Sequence, residues 1–186
     1  LLISANTETM NLLPLPLGLA RVAAAAAQAG HEAVLVNLMF AGDVRAAIQD
    51  WIGESRPELI GVSVRNIDDQ NMAAPKFLLA AVREVVAECR RASPAPVVVG
   101  GAGYSIFPAS ALRYLGADMG VQGEGESIFP ALLERLAQGS SVDELPGVYL
   151  PEHVPARRSF LRTLDGLPLP EAAQWIPPAP VGCDLW

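Results

Sequence analysis

Short apolar runs alternate with stretches of helical spacing as far as about residue 138, and each run ends in a polar or glycine-rich joint. Residues 1–4 predict a first strand. Residues 5–16 form a joint longer than most strand-to-helix connections, and such loops are often functional. Pro16 suits a helix start, and residues 17–29 predict an alanine-rich helix that Gly30 stops. Residues 33–37 predict the second strand. Residues 43–51 predict the second helix, with Val44, Ala47, Ile48 and Trp51 on one stripe. The third strand enters at Leu59 and Ile60. A helix is expected over 74–91, carrying Phe77, Leu78, Ala81, Val82, Val85, Val86 and Cys89 on its apolar side. Residues 96–99 predict the fourth strand, 108–115 a short helix, 119–122 the fifth strand and 128–138 the last helix.

Five strands alternating with five helices predict an α/β fold, a doubly wound parallel sheet of the flavodoxin-like, Rossmann-like order 2-1-3-4-5 with helices on both faces. Ligands of such sheets bind beyond the carboxyl ends of the strands, at the switch point between strands one and three. There the third strand, Gly61-Val62-Ser63-Val64, turns abruptly into Arg65-Asn66-Ile67-Asp68-Asp69-Gln70. The long first loop, with Thr7 and Glu8 on one side and Leu15, Pro16, Leu17 and Gly18 on the other, is expected to face that polar burst across the crevice.

After Gly139 the pattern changes. Half of the 16 prolines fall between Pro146 and Pro180 and helical periodicity stops, which divides the chain into a domain at 1–140 and a Pro-rich extension at 141–186. Residues 148–150 and 158–160 are expected to form a small hairpin. The chain starts inside a strand without an initiating Met, which suggests a piece of a longer protein.

The net charge of −7 and a pI of about 4.8 argue against nucleic acid or an anionic membrane as the main partner. Cys89 and Cys183 form no C-x-x-C and no secretory signal is present, which points to a reducing cytoplasm. Cys89 reads as a core thiol within its apolar stripe. The stretch 12–29 is apolar but broken by two prolines, a glycine, Arg21 and Gln28, so it is not a membrane span.

Three joints carry candidate chemistry. Gly100-Gly101-Ala102-Gly103-Tyr104-Ser105 lacks the last glycine of a dinucleotide fingerprint, because Ile106 stands there, and it follows the wrong strand. It reads either as a tight turn or as backbone against which a flat ligand lies. Gly123-Glu124-Gly125-Glu126-Ser127 opens a helix, so its N–H groups can receive a ligand's amide or hydroxyl oxygen, or Glu126 simply favours the helix start. Arg65 is either a surface residue paired with Asp68 or Asp69, or a ligand contact. The two histidines, His31 beyond the helix stop and His153 in the Pro-rich part, make no metal cluster and no Ser/His/Asp set.

Taken together, residues 61–70, Pro14-Leu15-Pro16-Leu17-Gly18-Leu19-Ala20, residues 97–105 and Val121-Gln122-Gly123-Glu124-Gly125-Glu126 resemble the N-terminal cobalamin-binding domain of cobalamin-dependent radical SAM enzymes. The resemblance covers about residues 1–150. Cobalamin domains of the methionine-synthase type carry D-x-H-x-x-G, S-x-L and G-G. Here Ser63-Val64-Arg65 stands at S-x-L and Gly100-Gly101 at G-G, Gly18 suits the last glycine, and the first loop has neither the Asp nor the His.

The resemblance therefore implies a base-off cobalamin without a histidine ligand. Its nucleotide tail would enter between strands one and three, over the glycines of strand four, and Arg65 would stand nearest the lower face of cobalt. It also implies a downstream domain in cis, holding S-adenosylmethionine on a 4Fe-4S cluster through C-x-x-x-C-x-x-C, and a parent enzyme that is a methyltransferase or cyclase. Neither cysteine here forms that motif, so the fragment alone is expected to hold the cofactor and not to catalyse. A cofactor-free flavodoxin-like regulatory or interaction domain, or a nucleotide- or flavin-binding domain, is the alternative reading.

Overall fold

A computed structural model describes residues 1–8, 14–69, 71–158, 160, 161, 163 and 165–170. Its elements are β1 (Leu2–Ser4), α1 (Leu17–Gln28), β2 (Leu35–Asn37), α2 (Val44–Ser55), β3 (Ile60–Ser63) and α3 (Leu79–Ala92). These are followed by β4 (Val97–Gly100), α4 (Ala102–Ile106), α5 (Pro108–Leu115), β5 (Met119–Val121), α6 (Gly125–Ala137) and β6 (Val148–Tyr149). The strands form one sheet in the order β2-β1-β3-β4-β5-β6. The parallel order 2-1-3-4-5 expected from the sequence is present, and β6 adds an antiparallel edge strand through Gly120↔Tyr149 and Val121↔Val148. The sheet thus continues past residue 140. Val148 and Tyr149 pair with β5; in the second arm of the expected hairpin, Arg158 and Phe160 are in no strand and Ser159 lies outside the described residues.

Strands buried on both faces need apolar side chains pointing both ways, and Ile60, Val97 and Val99 are fully buried. One face is covered by α2, α3 and α5, through Ile48, Ile52, Val82, Val86, Leu112 and Leu115. The other is covered by α1 and α6, through Leu19, Ala23, Ala26, Ile128, Phe129 and Leu132. Each of the Val, Leu, Ile and Phe side chains among them stabilises the fold by roughly 1.5–3 kcal/mol relative to exposure.

Local signals set most boundaries. Gly30, at φ +91°, closes α1: His31 N–H reaches the Ala26 carbonyl at 3.1 Å and Gly30 N–H that of Ala27 at 3.0 Å. Asp43 caps α2 by accepting from the Arg45 and Ala46 amides at 2.9 and 3.1 Å. Pro108 opens α5 and Gly116, in the left-handed region, ends it.

Some expectations fail for identifiable reasons. The buried stripe of α2 runs through Ile48 and Ile52, and Trp51 lies at its edge, 40% exposed. α3 begins at Leu79 and not at 74, so Leu79 is buried while Phe77 and Ala81 are exposed. The residues before it are held in turns: Asn71 Oδ1 accepts from the Ala73 and Ala74 amides, Asp69 Oδ1 accepts from the Lys76 amide, and Asp68 pairs with Phe77. Those amides are spent on side chains, which competes with helix formation. α4 has no counterpart among the expected elements, and α6 starts three residues earlier than the periodicity suggests, at Gly125. No helix among the described residues is long and apolar enough to cross a membrane.

Candidate functional site

The parallel register stacks two rows of residues on the sheet face that α1 and α6 cover. The inner row is Leu2, Gly61, Val98 and Met119, and the outer row, one pleat nearer the carboxyl ends, is Ser4, Ser63, Gly100 and Val121. Gly100 has no side chain and the two serines have short ones, so the sheet surface sinks along the outer row, while Leu2 leans over Gly61 in the inner one. α1 supplies Gly18, Leu19 and Val22 as one wall, and α6 supplies Gly125, Glu126 and Phe129 as the other. Between floor and walls lies a cavity of about 780 Å³ that opens at the strand ends past Asn6, Arg65 and Glu124. Arg21 Nε and Glu126 Oε1, 3.3 Å apart and mostly buried, tie the two wall helices together.

The loops after β3 and β4 are fused. Val64 N–H donates to the Gly100 carbonyl at 2.7 Å and Gly103 N–H to the Val64 carbonyl at 3.0 Å. A Cβ on Gly101, whose φ is +100°, would stand 2.6 Å from the Val64 carbonyl oxygen, and one on Gly103 would stand 2.9 Å from the Asn66 nitrogen. The close approach that Gly101 and Gly103 permit is therefore made by the neighbouring loop's own backbone. Of these glycines, Gly100 and Gly101 line the cavity and Gly103 lies beneath the loop.

Ser105 continues this locking. Its hydroxyl donates to the Gly101 carbonyl at 2.9 Å and accepts from the Gly123 amide at 3.1 Å. Its carbonyl takes a hydrogen bond from Gln122 Nε2, and the Tyr149 hydroxyl donates to Gln122 Oε1. Glu124 precedes α6 at the rim, and its carboxylate accepts from the Leu161 amide.

Arg65 is exposed and borders both the cavity and an adjoining depression of about 640 Å³, which Asn66, Asp68, Met72, Pro75, Ile106 and Phe107 also line. Among the described residues Arg65 makes no ion pair. Asp69, one of the partners considered for it, instead accepts amides of Lys76 and Asn71 at 2.9 and 3.1 Å, and those bonds hold its carboxyl below the usual range. Across the opening, Lys76 Nζ meets Glu8 Oε1 at 2.5 Å and joins the loops that follow β1 and β3.

The structure brings most of the candidate residues together and sets a few apart. Leu15, Pro16, Leu17, Gly18, Ser63, Arg65, Gly100 and Gly101 line the main cavity, with Ser105, Gly123, Glu124, Gly125 and Glu126 at its other side. Thr7 and Glu8 lie in a small recess beside Ser63 and Arg65. Asn66 and Asp68 belong to the adjoining depression, and Gln70 falls outside the described residues. Val64 and Tyr104 are corrections: both are fully buried in the core packed under the opposite sheet face, because the pleat turns Val64 away and Tyr104 fills space left by Gly120. Leu2, Ser4, Gly61, Val98, Val121, Val22 and Phe129 were not among the candidates. Period-2 alternation, counted back from each strand end, is the signal that finds the sheet residues among them.

His31 follows the end of α1 remote from Gly18, and His153 sits in a turn where it and Leu150 exchange both backbone hydrogen bonds at 3.0 Å. Among the described residues no cluster of His, Cys, Asp and Glu is arranged to hold a metal. Burial pushes the Cys89 thiol up to about 12, as expected of a core residue.

Comparison with known proteins agrees with this geometry. A family model described as the B12 binding domain matches residues 3–133. A tryptophan 2-C-methyltransferase from Streptomyces laurentii is 37% identical over 122 residues, 64% of this chain and 20% of that protein. A hopanoid C-3 methylase from Methylococcus capsulatus is 29% identical over an alignment of 196 positions that covers 92% of this chain and 36% of that protein. Among solved structures, the radical S-adenosylmethionine methyltransferase TsrM from Kitasatospora setae, with cobalamin and a 4Fe-4S cluster bound, superposes with a TM-score of 0.79. It is 28% identical, over 91% of this chain and 30% of its own. With the matched span running from β1 through most of α6, the chain belongs to the B12 binding domain family.

Proposed function

We propose that the cavity holds cobalamin with its nucleotide base detached from cobalt and inserted over the sunken sheet floor. The observation that carries this is the slot itself: a floor of Gly61, Gly100 and two serines between two helices, opening at the switch point beside Arg65. These residues fit such a group. The narrow floor admits a flat ring, and the hydroxyls of Ser4 and Ser63, which line it and are hydrogen-bonded to no other described residue, are available to a ring nitrogen or a ribose hydroxyl. The corrin ring would rest on the loops after β1 and β3, which the Glu8–Lys76 pair holds together. Bound cobalamin supplies group-transfer chemistry at its cobalt, and the protein supplies binding and orientation.

Arg65 has donors but no free lone pair, so beside a bound cobalamin it would supply hydrogen bonds and positive charge but no ligand to cobalt. Neither described histidine lines the cavity, which supports a site without a histidine ligand. The chain spans 20% and 36% of the two curated relatives; their names support a methyltransferase parent, and the likeness to TsrM supports a radical S-adenosylmethionine enzyme. We read residues beyond β6 as a connector toward a domain in cis that binds S-adenosylmethionine and a 4Fe-4S cluster. The acidic balance of −7 argues against nucleic acid or an anionic membrane as the main partner, and the two widely spaced cysteines, which form no C-x-x-C, support a reducing cytoplasm.

The test is incubation with hydroxocobalamin, desalting and an absorption spectrum. A retained base-off spectrum is expected, with modest affinity because much of the corrin stays open to water. A base-on spectrum, or no complex at saturating cofactor, rejects the reading.

A further inference from the structure

We infer that the slot selects among cobamides by their nucleotide base, preferring a benzimidazole with an apolar outer edge over a purine. The inference rests on the cobalamin reading and concerns the far end of the same slot. Polarity is graded along the strands. At the opening stand Asn6, Arg65 and Glu124, and one pleat inward come the hydroxyls of Ser4 and Ser63. One pleat further in, the row is Leu2, Gly61 and Val98, with Phe129 closing over it.

Leu2, Val98 and Phe129 are 3%, 3% and 6% exposed. A Cβ placed on Gly61 would lie 2.5 Å from Leu2 Cδ2 and 3.7 Å from Phe129 Cζ, so aliphatic and aromatic carbon bounds this end. The backbone offers little there, since Gly61 N–H is already bonded to the Leu1 carbonyl at 2.8 Å within the sheet. A base entering edge-on meets hydroxyls near its sugar and hydrocarbon at its far edge. Dimethylbenzimidazole presents one ring nitrogen near the sugar and two methyl groups at the far edge, which matches that gradient. Adenine presents an exocyclic amine and two ring nitrogens at its far edge, and these would be desolvated without partners.

The experiment is equilibrium binding of the chain to three corrinoids followed by their absorption: cobalamin, the adenine-containing cobamide, and cobinamide, which lacks the nucleotide. Cobalamin is expected to bind at least ten-fold more tightly than either of the others. Val98→Thr, nearly isosteric but carrying a hydroxyl, is expected to bring the cobalamin-to-adenine ratio below about three-fold. Equal or tighter binding of the adenine cobamide by the unaltered chain overturns the inference and leaves the cobalamin site standing. Cobinamide binding as tightly as cobalamin overturns it too, by showing that the base does not occupy the slot. Binding of none of the three removes the cobalamin reading and this inference together. The unaltered chain decides the matter if Val98→Thr does not fold, which circular dichroism reports.

Discussion

The phenol of Tyr104 occupies the space that a side chain on Gly120 would need: a Cβ there would stand 1.9 Å from the Tyr104 oxygen and 2.3 Å from its Cζ. The ring packs edge-on against Tyr149, with centroids 6.4 Å apart. Its hydroxyl has no hydrogen-bond partner among the described residues, and burial raises its pKa. Gly120→Ala is therefore expected to destabilise the fold by about 1–3 kcal/mol, the usual range for overpacking. Tyr104→Phe removes an unpaired oxygen and is expected to be neutral or slightly stabilising. Urea unfolding of both variants checks the pair; a strongly destabilised Tyr104→Phe contradicts the account.

Arg65→His places an imidazole where a residue without a lone pair now stands. With cobalamin bound, the variant is expected to show the absorption change of a new axial nitrogen. An unchanged spectrum in a variant that still retains cofactor counts against Arg65 at the lower face.

The turn before α3 depends on acid–base state. The Lys76 and Asn71 amides hold the Asp69 carboxyl below its usual pKa, so its contribution is present above the ordinary carboxylate range and is lost as pH falls through the depressed value. The Lys76 amide resonance is expected to move on acidification at a pH below that of an ordinary Asp, and Asp69→Asn to remove the shift. A titration at the ordinary value rejects the assignment.

Cys89 is fully exposed to attack only on unfolding. Its thiol, raised to about 12 chiefly by burial, carries almost no thiolate near neutrality. Because the folded value lies above the unfolded one near 9, the associated stability is present below pH 9 and is lost as pH rises through the folded value. Iodoacetamide at pH 8 followed by peptide mapping is expected to leave Cys89 unlabelled in the native chain and to label it in urea. Rapid native labelling would place the thiol at the surface.

The order of β1 to β5 could be read from apolar runs because the central strands are buried on both faces and the helices between them on one. The rim of the cavity could be read for the same reason, since strand ends at a switch point are fixed once the strands are assigned. The floor could not. Leu2, Gly61 and Val98 look like ordinary strand residues, and only their register across three strands reveals a depression. The glycines after β4 misled in part, because a residue that permits close approach does not say what approaches, and Val64 to Asn66 do so here. The start of α3 was missed because helical spacing ignores the side-chain hydrogen bonds of Asp69 and Asn71.

The sunken floor has a consequence for how this chain responds to mutation. The cavity exists because carbon is missing at Gly100 and scarce at Ser4 and Ser63, while at Gly61 the Leu2 side chain already takes the place of a Cβ. Core-filling changes commonly stabilise proteins by about 0.5–2 kcal/mol, and larger apolar residues facing this space would bury surface that water now reaches. Selection for thermal robustness alone would therefore tend to erase the site while keeping the fold. A library screened only for heat resistance is expected to accumulate side-chain volume along these rows, yielding sturdier sheets with nowhere to seat a ligand.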